Sequence, residues 1–232
     1  MALVLYYHPL ASFCHKVLIA LYENETPFEG RVVDLMDDAA SARFLDLWPV
    51  GKIPVLRDES RDQTIPETTI IIEYLEQHYP GPRALLPAGG AERLDVRLWD
   101  RFFDLYVQVP MQKIVIDRLR SEGEHDARGV AEAKATLETA YRMIERQMAD
   151  RTWATGEAFS LADCAAAPAL FYADIVAPFS ATHPHTAAYF ERLVQRASFQ
   201  RVLAEAQPYF HMFPYKEAMP ARFRGADQAA SG

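Results

Sequence analysis

The chain has 232 residues, half of them hydrophobic and 24% charged, an ordinary globular composition with apolar material for one or two cores. A formal net charge of −8 argues against a protein that grips nucleic acid through a basic face. The two cysteines, Cys14 and Cys164, lie far apart in helix-like stretches; this argues against a disulfide framework and predicts a reducing, cytoplasmic setting.

In chain order, residues 1–7 carry no basic region and only a short apolar run, so no secretory leader is expected. No window approaches the ~18 apolar residues of a membrane span, and none is predicted. Residues 3–7 read as a buried strand that stops at His8-Pro9. Residues 13–22 turn helical, with Val17, Leu18, Ala20 and Leu21 on one stripe and Lys16 and Glu23 outside it. Residues 28–35 alternate as a second strand, and 39–47 form a weak helix that ends before Trp48-Pro49. Pro54 sits at the start of the apolar run 53–56, a place where a missing N–H rules out a central ladder position. A polar turn, a short strand at 63–65 and a helix at 69–78 follow. The order β-α-β-α-β-β-α predicts a mixed sheet flanked by helices.

Residues 79–90 are rich in proline and glycine and mark a domain boundary. Beyond it the pattern is helical only: 91–120, 126–150, 161–176, 184–196 and 199–206. The expected organisation is an α/β domain over 1–80, a linker over 81–90, an all-α domain over 91–218 and a disordered tail over 219–232. The seven histidines are scattered, and His183-Pro184-His185 lacks the companions of a metal site, so no metal is expected.

Four local motifs then fall in a fixed order. They are Leu-Tyr-Tyr-His-Pro-Leu-Ala-Ser-Phe-Cys-His-Lys-Val at 5–17, Trp-Pro-Val-Gly-Lys-Ile-Pro-Val-Leu at 48–56, Ile-Pro-Glu-Thr-Thr at 65–69, and Phe-Ser-Leu-Ala-Asp at 159–163. With the switch from α/β to all-α, they resemble the glutathione transferase (GST) superfamily over nearly the whole chain. The resemblance implies a thioredoxin-like N-terminal domain and an all-helical C-terminal domain. It also implies glutathione as co-substrate, a small, hydrophobic electrophile as second substrate, a detoxification-type transferase activity, and a homodimer, with no role for nucleic acid or membrane.

Ser12 is the first candidate catalytic residue. A hydroxyl at a helix N-terminus can donate to a sulfur whose thiolate the helix dipole favours. Serine is equally suited to cap the helix. Cys14 competes: it would carry thiol–disulfide or reductive dehalogenation chemistry instead, or be a small buried hydrophobe. Tyr6 and Tyr7 are a third option. The Ile53-Pro54 step resembles the family's cis-proline, where the Ile53 backbone meets the cysteinyl backbone of glutathione like a strand edge. Lys52 suits the glycyl carboxylate, Thr68 at a helix N-terminus the γ-glutamyl carboxylate, and Glu67 its ammonium. Ser160 with Asp163 matches an N-terminal capping box, a folding signal. Candidate walls of the second-substrate pocket are His8, Leu10, Tyr106, Met111, Tyr172 and Phe179. The aromatic segment 208–215 is either a lid on that pocket or a strap on the long helices. A non-catalytic binding protein on the same fold is the remaining alternative.

Overall fold

The computed structural model describes residues 3–34 and 37–224. Strand β1 (Leu3–Tyr7) carries the buried run Leu3, Val4 and Leu5 and takes a central place in a four-stranded sheet of order β2-β1-β3-β4. It pairs in parallel with β2 (Glu29–Val32) and antiparallel with β3 (Val55–Asp58), which pairs antiparallel with β4 (Gln63–Pro66). Pro54 stands just outside β3 and Pro66 closes the edge strand β4, so neither interrupts a central ladder. The second strand is shorter than its sequence pattern, and position 35 of that pattern lies outside the described residues.

Helix α1 (Ser12–Glu23) makes the crossover between β1 and β2. Helices α2 (Asp38–Leu47) and α3 (Thr68–His78) complete the first domain. Here the structure corrects the sequence reading: Lys16 and Glu23 are buried, not solvent-facing. Each has an ionic partner from the second domain. Arg196 and Ser198 donate to the Glu23 carboxylate, and together they outweigh the burial that would otherwise raise its pKa; the net shift is downward.

The second domain holds α4 (Gly90–Phe102), a π turn (Phe103–Gln108), α5 (Val109–Arg118), α6 (Ala127–Gln147), α7 (Leu161–Val176), α8 (Pro184–Val194) and α9 (Ala197–Ala206). Pro110 explains the π turn: it has no N–H for the carbonyl one turn back, and its ring crowds that carbonyl, so the helix widens upstream. Helix α7 is buried along its length except at Asp174, as expected of a helix that is apolar on all sides. Its start is the predicted box: the Asp163 carboxylate accepts from the Ser160 N–H at 2.8 Å and the Ser160 hydroxyl at 3.0 Å.

The segment between the domains is packed. Leu85 and Leu86 are buried, the Leu85 N–H donates to Glu76 at 2.8 Å, and its carbonyl accepts from Leu161 N–H at 2.8 Å. A side chain at Gly81 would put its Cβ 2.4 Å from Cβ of Asn24, so only glycine fits that approach. One core runs from Leu3 through α1, α4 and α7 to Phe223. The sequence placed the tail from 219 onward. The structure instead buries Met219 and sets Phe223 edge-on to Phe171 at 5.0 Å, because two large apolar side chains in a small-residue stretch are enough to anchor it. Residues 225–232 of that expected tail lie outside the described residues.

At the domain junction Lys16 Nζ lies 2.5 Å from Asp100 Oδ1 and 2.8 Å from Asp104 Oδ2, and donates to Thr69 Oγ1 at 3.1 Å. Thr69 in turn donates to Asp100 Oδ2 at 2.7 Å. Among the described residues, removing the cation leaves the buried Asp100 carboxylate with only the Thr69 hydroxyl and Asp104 with only Arg101 Nη1, 3.5 Å away. Lys16→Met should therefore lower stability by about 3–5 kcal/mol, read as a shift in the urea midpoint.

His15, fully buried on α1, ties the β1–α1 turn through its Nε2 to the Pro9 carbonyl at 2.5 Å. Burial lowers its pKa from 6.5 to about 4. The unfolded chain therefore binds the proton more readily, and stability is lost as pH falls from 6.5 toward 4. The loss from this group approaches about 3 kcal/mol. In urea titrations at pH 7.5 and 4.5, His15→Gln should lose less stability on acidification than the wild type.

Candidate active site

The β1–α1 turn brings Leu10 and Ala11 to the wall of a cavity between the domains. Ala11 occupies the cap of α1 and has no side-chain acceptor, so the first turn's N–H groups are not claimed by a capping side chain. Ser12 is the first helical residue, not the cap. It is buried, and its hydroxyl accepts a hydrogen bond from Gln108 Nε2 on the π turn.

Two adjoining cavities open here. The first, of 240 Å³, is lined by Phe13, Trp48, Lys52, Ile53, Pro54, Glu67, Thr68, Arg101, Asp104, Leu105, Val109 and Gln112. It brings together Lys52, Ile53, Pro54, Glu67 and Thr68, which are scattered through the first domain's sequence. The Ile53-Pro54 peptide is cis. Gly51, at φ 71°, makes the left-handed step before it. Glu67 also has positive φ, 68°, which is uncommon for a residue with a side chain, and it stands directly before α3. Such a backbone is kept where the surroundings fix it, and sites that bind ligands are where it collects. The positive end of α3 faces the same cavity through Thr68.

The second cavity, of 270 Å³, is walled by Leu10, Ala11, Ser12, Met111, Val115, Ile116, Leu119, Tyr172, Met212, Phe213 and Pro214, with Gln112 shared with the first. Three of the sequence-named walls, Leu10, Met111 and Tyr172, are among these. Tyr172 also donates from its hydroxyl to the Leu10 carbonyl at 2.8 Å and so pins the turn. The other three stand elsewhere. His8 packs edge-on to Tyr209 at 5.2 Å. Tyr106 is half exposed and lies beside Phe102. Phe179 is wholly buried between Tyr141 and Phe190. The π turn and the chain reversal after α7 set these directions, and neither is visible as a sequence period. The segment 208–215 does both things weighed for it: Phe210 stacks in the core on Phe171, while Met212, Phe213 and Pro214 wall the cavity.

Cys14 faces away from both cavities and has no solvent exposure. Burial pushes its thiol up to about 12, against a smaller opposing pull from a hydrogen bond with the His8 backbone. Tyr7 is half-buried and its pKa is raised, by burial first and Glu205 second; Tyr6 reaches Arg31 at the exposed edge of the sheet. Sequence reasoning missed Arg101, Asp104, Gln108 and Gln112. Asp104, Gln108 and Gln112 recur every fourth residue between the apolar positions Phe103, Val107 and Met111, a polar row that carries a readable period. Burial raises the Asp104 pKa and prevails over the Lys16 charge beside it.

The sequence matches the GST N-terminal domain model over residues 5–83 and the GST C-terminal domain model over residues 127–192. It is 25% identical to glutathione S-transferase GstB of Escherichia coli K12, over 81% of this chain and 91% of that protein. It is 31% identical to a stringent starvation protein A homologue of Pasteurella multocida, over 84% and 87%. Among solved structures, a glutathione S-transferase from Methylobacillus flagellatus with glutathione bound superposes with a TM-score of 0.80 at 25% identity, over 87% of this chain and 98% of that one. A glutathione S-transferase from Methylobacterium radiotolerans in complex with glutathione sulfonate gives 0.76 at 28% identity, over 87% and 94%. A thioredoxin-like sheet domain joined to a helical domain, both family models in order and this identity over most of the length place the chain in the glutathione transferase superfamily.

Proposed function

We propose that the protein is a serine-type glutathione transferase that binds glutathione in the first cavity and an apolar electrophile in the second. The observation that carries this reading is the junction of the two. Ser12 and Phe13 are neighbours in the chain, one lining each cavity, and Gln112 lines both. Glutathione fits the first in parts. The Ile53 backbone offers strand-like pairing to its cysteinyl unit. The N-terminus of α3 with Thr68 meets the γ-glutamyl carboxylate, Glu67 its ammonium, and Lys52 the glycyl carboxylate. The sulfur then lies at the uncapped start of α1, where the helix dipole and the Ser12 hydroxyl favour the thiolate.

The thiolate sulfur attacks an electrophilic carbon in the second cavity. A new S–C bond forms, and the leaving group departs with its electron pair, or the charge passes to an electron-withdrawing substituent. Met111, Val115, Ile116, Leu119 and Phe213 leave little polarity in that wall, which suits a compact, hydrophobic or aromatic substrate. The complete burial of Cys14 and its raised pKa favour Ser12 over chemistry through that cysteine.

A second reading, a non-catalytic binding protein of the same fold, draws on the likeness to the stringent starvation protein A homologue. Conjugation of glutathione to 1-chloro-2,4-dinitrobenzene separates the readings. Ser12→Ala should lower kcat/KM roughly a hundred- to a thousandfold with glutathione binding retained, as for loss of one donor to a developing or stabilised anion. Cys14→Ala should change it by less than about twofold. Loss of rate in Cys14→Ala alone would assign the chemistry to the cysteine, and glutathione binding without any turnover would favour the binding protein.

The protein works as a homodimer in this reading. Leu94 and Leu98, one turn apart on α4, are exposed together, 67% and 62%, which leaves a leucine pair on that helix for a second copy to cover. Light scattering should give twice the 26.3 kDa chain mass for the wild type. Leu98→Glu should shift it to the single-chain mass.

A further inference from the structure

Gln108 has no part in the reading above, which rests on Ser12, yet it is the side chain in contact with the Ser12 hydroxyl. It is 2% exposed and closes the π turn that Pro110 imposes. Its Nε2 donates to Ser12 Oγ, while its own Oε1 has no hydrogen-bond partner among the described residues. A buried carbonyl oxygen left unpaired costs free energy, and most folds avoid it. Among the described residues the amide therefore has one polar attachment, Ser12.

A serine hydroxyl has one proton and two lone pairs. When an amide N–H fills one lone pair, the proton is directed away from that amide. A hydroxyl that is already accepting also becomes a stronger donor, since hydrogen bonds in series polarise one another. We propose that Gln108 is a positioning residue which holds the Ser12 hydroxyl as an acceptor and so turns its proton toward the glutathione sulfur. The π turn is the structural means. Gln108 follows Asp104 by four residues and precedes Gln112 by four, and this row runs from the first cavity to the second. A nonpolar residue at 108 would leave the hydroxyl free to rotate. A carboxylate there would accept the serine proton and withdraw it from sulfur.

The test is a titration of the thiol of bound glutathione, followed by thiolate absorbance, in wild type, Gln108→Leu, Gln108→Glu, Ser12→Ala and the double variant Ser12→Ala/Gln108→Leu. The charged groups facing the first cavity, Lys52, Glu67, Arg101 and Asp104, and the Lys16–Asp100 pair behind it, are the same in all five proteins. Gln108→Leu should raise the thiol pKa by about 0.5–1 unit, a three- to tenfold fall in thiolate at fixed pH below the pKa. Glutathione affinity should stay within about twofold. Gln108→Glu should raise the pKa further, and Gln108→Leu should add nothing in the Ser12→Ala background. Gln108→Met, which keeps the side chain's length, repeats the measurement if leucine disturbs the packing.

An unchanged titration in both Gln108→Leu and Gln108→Met overturns the inference while leaving Ser12 in place, provided Ser12→Ala itself shifts the thiol. An equal shift from Gln108→Leu with and without Ser12 overturns it too, since the effect then bypasses the hydroxyl. If Ser12→Ala leaves the thiol unchanged, the serine reading fails and takes this inference with it.

Discussion

The buried cluster of Lys16, Asp100, Asp104 and Thr69 is the interaction on which the arrangement of the two domains depends. Lys16 comes from the helix that carries Ser12, Thr69 from the helix that follows Glu67, and the two carboxylates from the helix and π turn that wall the cavities. One cation thus fixes three elements at the depth where low dielectric makes a misplaced charge costly. An apolar cluster would hold the elements together with freedom to slide; paired charges with a shared hydroxyl allow one register. The two cavities that adjoin at Ser12 and Phe13 are built on elements held in that register.

The fate of Cys14 shows how a helix terminus can fail to activate a thiol. Two residues into α1, it is within reach of the dipole that lowers cysteine pKa. Desolvation acts against this and prevails, because the side chain is fully buried and has no solvent exposure. Ser12 stands at the same helix end and is itself part of a cavity wall. Direction, not position along the chain, divides the two residues.

Much of the second domain's contribution to the site follows from one proline. Pro110 widens the helix, and the widened turn aims Asp104 at the first cavity and Gln108 at Ser12. The carboxyl-terminal segment completes the apolar wall because Phe210 anchors in the core just before Met212, Phe213 and Pro214. Phe213 is itself buried, so the anchor at Phe210 and this part of the wall lie within three residues of each other.

Although the strand order β2-β1-β3-β4 is not legible in the sequence, the succession of strands and helices, the helical second half, the capping box at Ser160 and Asp163, and the group Lys52, Ile53, Pro54, Glu67 and Thr68 that one cavity gathers are. These are local: strand and helix periods, a proline that must stand outside a ladder, and helix starts with hydroxyl and acidic residues all act within a few residues. Contacts between distant segments set which of Ser12 and Cys14 meets the cavity, bury Lys16 and Glu23 against charges from the other domain, and keep His8, Tyr106 and Phe179 away from the apolar pocket. A lysine on an otherwise apolar helix reads as a solvated edge until its carboxylate partners, distant in the chain, are brought against it. Burial of a charge depends on the partner, and partners across a domain junction leave no period in the sequence.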